Sequence, residues 1–302
     1  MRFLDRPVTV EVPATSANLG PGFDCLGLAL DLRDTLTATS SGDLDVAIDG
    51  EGADELPRDE QHLVVRAMHA AWDRMGFRPT GVQLRCVNRI PQSRGLGSSS
   101  AAIVGGIMLA RALVERGTDN LDDAAALALA NELEGHPDNV APALLGGFVV
   151  CGQDRRDGDD EVWAARLAVE PTISATAFVP PYGVHTEVAR GLLPDAVPHH
   201  DACANTGRAA LLVAALTGSP EHLLIATEDF VHQQYRRPAM PESLDLVERL
   251  RAAGMAAFVS GAGPTVLALH AGAPAADELA RWCPPQWRSL PLAVGVPGAR
   301  AF

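Results

Sequence analysis

Residues 91 to 101 read Pro-Gln-Ser-Arg-Gly-Leu-Gly-Ser-Ser-Ser-Ala, between an alternating segment, Val82 to Val87, and a long apolar one, Ala101 to Val114. A strand, a glycine-rich loop and a helix in that order make an anion cradle. Gly95 and Gly97 let the backbone turn tightly and approach a ligand, while the free N–H groups and dipole of the new helix favour a phosphate at its N-terminus. Helix capping is the plainer account of Ser98, Ser99 and Ser100, but it explains one hydroxyl of the three. The expected ligand is a nucleotide. The chain holds no lysine, all 24 of its basic residues being arginine. That excludes a P-loop NTPase and a protein kinase, both of which hold phosphates with a lysine, and it excludes Schiff-base chemistry on lysine.

Two further glycine-rich segments punctuate the sequence, Pro13 to Gly27 (PATSANLGPGFDCLG) and Ser260 to Val266 (SGAGPTV). The first presents the Asn18 amide and the Asp24 carboxylate on a pliable loop, although all its polar residues are also ordinary turn formers. The last is a turn between two apolar strands, or a place where backbone closes on another loop or a ligand. Between them, ELEGHPDNVAPALLGG places Glu134, His136, Asp138 and Asn139 within six residues. Glu134 suits a Mg²⁺ that keeps waters and shares itself with phosphates. Gly135 and Pro137 read as the end of a helix. Zinc is disfavoured, because no further histidine or cysteine lies close to His136 and Asp138. Arg190, Arg236 and Arg237 can pair a carboxylate through two parallel hydrogen bonds.

These residues need a scaffold, and the pattern supplies an α+β one. Strands are expected at Val8 to Val12, Thr35 to Thr39, Leu44 to Ile48, Val82 to Val87, Ile173 to Val179, Ala256 to Ser260 and Thr265 to His270. Helices are expected over His62 to Met75, from Ser98, and over Leu121 to Leu133, Thr186 to Leu193, Ala202 to Leu216 and Leu244 to Ala253. The charged stretch Gly152 to Glu161 reads as a hairpin tip or connection, and the domain boundary is expected beside it. With 302 residues, 47% of them hydrophobic, there is material for two cores. A formal net charge of −14 argues against nucleic acid and anionic membranes as partners. The five cysteines are scattered and odd in number, which fits a reducing cytoplasm better than a disulfide framework. No signal peptide or membrane span is expected, and a homodimer is the default for a soluble enzyme.

With its three motifs in this order, the chain resembles the GHMP kinases. PxxxGLGSSSA is the superfamily's middle motif, while PATSANLGPGFDCLG and EGHPDNVAPALLGG are similar to the branch that phosphorylates homoserine. The resemblance implies a two-domain fold, with residues 1–155 an ATP-binding domain like ribosomal protein S5 and residues 156–302 a ferredoxin-like domain. It implies that Pro91, Arg94, Gly95, Leu96, Gly97, Ser98, Ser99, Ser100 and Ala101 wrap the triphosphate of ATP, and that Ser98 or Ser99 holds Mg²⁺ with Glu134. It places His62 beside the base, where the family commonly has asparagine. By the same match Asn18, Asp24, His136, Asp138, Arg190 and Arg236 surround L-homoserine, with Asp24, Glu134 and Asp138 as the catalytic carboxylates. The arginines suit the α-carboxylate, and Asp24 or Asp138 the α-ammonium. Phosphorylation of another small alcohol (mevalonate, shikimate or a sugar) and metabolite sensing without turnover remain the alternatives, because fold alone does not fix function.

Overall fold

The computed structural model describes residues 2–156, 159–272 and 279–302. Its first half contains β1 (Val8–Asn18), β2 (Gly22–Ser41), β3 (Asp45–Gly50), α1 (Leu63–Met75), β4 (Gly81–Asn88), α2 (Ser98–Ala112), α3 (Gly117–Asn120), α4 (Asp123–Glu134), α5 (Pro137–Leu145), β5 (Phe148–Arg156) and β6 (Asp159–Leu167). The second half contains β7 (Ile173–Val179), α6 (Thr186–Gly191), α7 (His199–Thr217), α8 (Leu223–Ala226), α9 (Pro241–Ala252), β8 (Ala256–Val259), β9 (Val266–Ala271), β10 (Arg288–Ala293) and β11 (Arg300–Ala301), with a 3₁₀ turn at Gln234–Ala239.

The first sheet runs β11-β1-β2-β4-β3, with β5 also on β2 and β6 on β5; only β3 and β4 are parallel. The length of β2 makes this branching possible, because its start pairs with β5 and its end with β4 while β1 follows the other edge. Helix α1 buries Val64, Val65, Met68, Ala71, Trp72 and Met75, the i, i+3, i+4 stripe of an amphipathic helix. Helix α2 is buried along nearly its whole length from Ser100 to Arg111, so its N-terminus is held rigidly. The second sheet runs β10-β7-β9-β8 and is antiparallel throughout. Counted from β7 this is the order 4-1-3-2, the ferredoxin-like arrangement implied by the resemblance.

Two expectations about the chain's course need correction. The sequence reading sets a boundary near residue 155, yet β6 pairs with β5 from Arg156↔Asp159 back to Phe148↔Leu167, so sheet membership changes between Leu167 and Ile173. A charge-rich stretch marks a hairpin equally well as a linker; its residues 157 and 158 lie outside the described residues. The chain also returns at its end, β11 pairing with β1. The second correction concerns Pro137: α4 does end at Glu134 with Gly135 as its left-handed cap, but Pro137 is also the first residue of a further helix, α5. Proline suits that position because its missing N–H is unpaired there anyway.

Candidate active site

The first motif is a strand–turn–strand, not a free loop. Asn18, Leu19 and Asp24 all have positive φ, a conformation that Asn and Asp tolerate better than most residues. Asn18 stabilises it by accepting from the Asp24 N–H at 3.0 Å and donating to Gly261 O at 2.9 Å. The third motif is thereby tied to the first, and the Gly261 N–H donates to Ala17 O at 3.1 Å. Ser260 completes the junction, its hydroxyl lying 2.6 Å from Gly95 O and 2.8 Å from Ser16 Oγ.

The middle motif ends in a helix whose N-cap is Gly97, at φ 70° and without a side-chain cap. None of the three serines caps it, so the first N–H groups of α2 are left for an anion. No other residue fits at 97: a Cβ there would stand 2.0 Å from Thr15 Oγ1. Ser99 and Ser100 instead reach across to one carboxylate oxygen, donating to Glu134 Oε1 at 2.8 and 2.7 Å. Ser98 lines the cleft beside them but makes neither of these bonds. Arg94 donates to the carbonyls of Gln92, Pro180 and Pro181, so it fixes the loop against the exit of β7. Pro91, Leu96 and Ala101 are buried beneath the loop and support it without lining the cleft.

A cleft of about 580 Å³ gathers Asn18, Asp24, Arg94, Gly95, Gly97, Ser98, Ser99, Glu134, His136, Asp138, Arg190 and Arg236. Asp24 and Arg190 form a bidentate pair at 3.0 and 2.6 Å. The Arg190 and Arg236 guanidinium groups stand 5.4 and 5.3 Å from the Phe23 ring centre, within cation–π range. Arg236 is 1% exposed and has no carboxylate partner among the described contacts, and its Nε lacks any hydrogen bond. Burial, then the charge of Arg190, pushes its pKa down to about 10, so it remains a cation at neutral pH. Arg237, the other arginine of HQQYRRP, faces away and pairs with Asp245 and Glu248 on α9.

His136 Nδ1 lies 2.6 Å from Asp138 Oδ1. Burial would lower the imidazole's pKa, but the hydrogen bond and charge of Asp138, with Glu134 behind them, outweigh burial and leave it raised. Gly27 lets α5 approach β2, since a Cβ there would lie 2.0 Å from Asp138 O. One supporting residue, Thr15, escaped the sequence reading of the site. Thr15 donates to Asn139 at 2.7 Å, and Asn139 lines the cleft. Asn139 was visible in its motif; Thr15 sits in a strand and carries no spacing signal.

A second cavity of about 850 Å³ adjoins the first through Ser93, Ser98, Ser99, Val184 and Thr186. Leu36, Leu56, Leu63, Val64 and Ala102 give it apolar walls, and Asp34, His62 and Asn88 are its buried polar residues. His62 Nδ1 has no partner, and burial followed by the charge of Arg58 lowers its pKa, so the ring is neutral. Two adjoining pockets thus bring apolar walls, an uncapped helix N-terminus and a set of opposed charges together, an arrangement that suits a small-molecule phosphotransferase.

Comparison with known proteins agrees. Residues 62–147 match the GHMP kinases N terminal domain and residues 205–284 the GHMP kinases C terminal domain. A homoserine kinase of Streptomyces avermitilis is 54% identical over 97% of this chain and 94% of its own length; one of Clavibacter michiganensis is 49% identical over 97% and 93%. The crystal structure of homoserine kinase from Cytophaga hutchinsonii superposes with a TM-score of 0.82 at 26% identity, covering 100% of this chain and 99% of that one. The chain belongs to the GHMP kinases, in their homoserine kinase branch. It is an ATP-dependent small-molecule kinase. Among the described residues no helix is long and apolar enough to cross a membrane.

Proposed function

We propose that the protein transfers the γ-phosphoryl group of ATP to the side-chain hydroxyl of L-homoserine, giving O-phospho-L-homoserine for threonine biosynthesis in the cytoplasm. The observation that carries this reading is that Asp24, Arg190 and Arg236 share one cleft with the N-terminus of α2. An α-amino acid is a zwitterion. Its carboxylate matches the unpartnered Arg236 and its ammonium matches Asp24, the two ends replacing the internal Asp24–Arg190 pair. Mevalonate has no ammonium for that carboxylate.

The N–H groups at Gly97 and the start of α2 hold the triphosphate, and the adjoining apolar pocket takes the base with His62 at its edge. Glu134 with Ser99 would hold Mg²⁺. These hard oxygen donors fit that ion, and no group of three or more His, Cys, Asp or Glu among the described residues offers an all-protein cage. When bound, the ion neutralises charge on the phosphates. Phosphoryl transfer has a loose transition state, so alignment of the hydroxyl by Asn18, Asp24 and the arginines dominates over proton abstraction. Both candidate acceptors for the hydroxyl proton are engaged, Asp24 with Arg190 and Asp138 with His136. We place the ATP-binding domain N-terminal to the sheet change after Leu167, and the ferredoxin-like domain beyond it.

ADP release with MgATP, measured against L-homoserine, mevalonate, shikimate and galactose, tests this reading. Turnover confined to homoserine is expected; turnover on another alcohol, or ATP binding without turnover, would displace it.

A further inference from the structure

His232 is fully buried and lies four residues before Arg236, just ahead of the 3₁₀ turn, but it does not line the cleft. Its two ring nitrogens have different partners. Nε2 lies 2.6 Å from Gly20 O, and Nδ1 lies 3.2 Å from Arg236 Nη1. A carbonyl oxygen only accepts and a guanidinium nitrogen only donates. The ring must therefore carry its proton on Nε2 and offer a lone pair from Nδ1, a neutral tautomer set by its neighbours alone. Burial lowers its pKa, with the charge of Arg236 acting in the same direction and Asp229 opposing. A proton on Nδ1 would remove the acceptor and put two cations side by side without solvent.

His232 also fixes where Arg236 points. The imidazole packs on Phe23 with ring centres 5.2 Å apart, and Phe23 is the ring that Arg236 covers. Arg236 Nη1 donates to Gly261 O at 3.0 Å as well. That nitrogen is thus held between the third motif and the imidazole, while Nε is left unpaired. The segment around His232 grips the turn of the first motif at a second point, Asn205 donating to Pro21 O at 2.8 Å and accepting from the Phe230 N–H at 3.2 Å.

We infer that His232 is a positioning residue for substrate recognition: as a neutral Nδ1 acceptor anchored to the Gly20 carbonyl, it orients Arg236 toward the carboxylate of the amino-acid substrate. The inference rests on the assignment of Arg236 to that carboxylate. The test is a double-mutant cycle read in steady-state constants. Arg236→Ala should raise the homoserine KM by about 10- to 100-fold. His232→Leu, which deletes the acceptor and the anchor, should raise it by about tenfold with the ATP KM within about twofold of wild type. His232→Asn puts an amide oxygen near the Nδ1 position and should recover most of that loss. Because His232 acts through Arg236, the double variant His232→Leu/Arg236→Ala should be no worse than Arg236→Ala alone.

Additive losses in the double variant, or equal rises in both KM values, would show a merely structural histidine. A homoserine KM unchanged in both His232 variants would overturn the inference and leave Arg236 in its role. A homoserine KM unchanged in Arg236→Ala would overturn the parent assignment, and the positioning role with it. If His232→Leu fails to fold, His232→Gln, whose amide can reach Gly20 O but leaves no acceptor at the Nδ1 position, closes the same cycle: it must weaken homoserine binding and add nothing to Arg236→Ala, and wild-type binding in it would overturn the inference.

Discussion

Glu134 carries the clearest claim at the scale of single residues. One of its oxygens already accepts two hydroxyl hydrogen bonds, so the carboxylate is held in place before any ligand arrives, and a group oriented in advance loses no order at the transition state. Glu134→Gln keeps the shape and the acceptor oxygen but removes the negative charge. It should lower kcat by about 100-fold with little change in melting temperature. Near-wild-type turnover would remove Glu134 from the metal site. The residues that sequence made visible share a trait with Glu134: they lie in runs where glycine, serine and charge are dense, and a helix or strand core has no use for such density. Thr15 and His232 lack that advantage. Each is a polar residue inside an otherwise apolar or turn-like stretch, and its role comes from a partner 124 and 212 positions away respectively. His232 had one local clue, its i, i+4 spacing from Arg236.

At the scale of elements, the middle glycine-rich loop needs an anchor where it leaves β4, and Asp34 of β2 provides it. Its Oδ1 accepts the N–H groups of Arg89 and Ile90 at 2.6 and 2.9 Å. Burial pushes its pKa up from 3.8 to about 6 although those two hydrogen bonds pull it down. An acid with a raised folded pKa binds its proton more tightly when folded. Between about pH 4 and 6 the folded chain therefore holds more protons than the unfolded one, and stability falls as pH rises through that window. The full deficit above it is roughly 3 kcal/mol. Asp34→Asn keeps an acceptor and has no charge to bury. It should match wild type at pH 4 and be more stable at pH 8 by about 1 to 3 kcal/mol in denaturant titrations; a more stable wild type at pH 8 would mean that the charged hydrogen bonds outweigh desolvation. The elements themselves were unevenly legible. Strands and helices with clean periodicity, such as α1 and β7, follow from their patterns. Helix α5 was hidden by Pro137, since proline ends one helix and begins the next with equal ease. The pairing of β1 with the start of β2 was hidden because glycine and polar residues there read as loop, whereas the backbone bonds form regardless of side chains.

At the scale of the whole molecule, the two sheets do not enclose two separate cores. The second sheet turns alternate residues to opposite faces, as strands must. Phe178, Val266 and Ala268 join Leu244, Val247 and Leu250 of α9 in a small cluster. On the other face Ile173, Ala175, Ala177, Val179, Leu267 and Leu269 belong, with Leu212 and Leu216 of α7, to the same continuous cluster as Val10, Leu28 and Phe148 of the first sheet. Polar contacts cross the same junction: Ser260 to Ser16, Asn18 to Gly261 and His232 to Gly20. Neither half keeps its apolar surface covered if the other unfolds, so exposing one exposes part of the other's core at about 25 cal/mol per Å². The protein should then melt in a single calorimetric transition whose van't Hoff and calorimetric enthalpies agree. Leu267→Ala, a cavity in the second sheet worth about 2 to 5 kcal/mol, should move that whole transition down without splitting it. Two resolved transitions, with only the lower one moved by Leu267→Ala, would mean that the halves are thermally independent and that the cleft residues meet only when ligand draws the domains together.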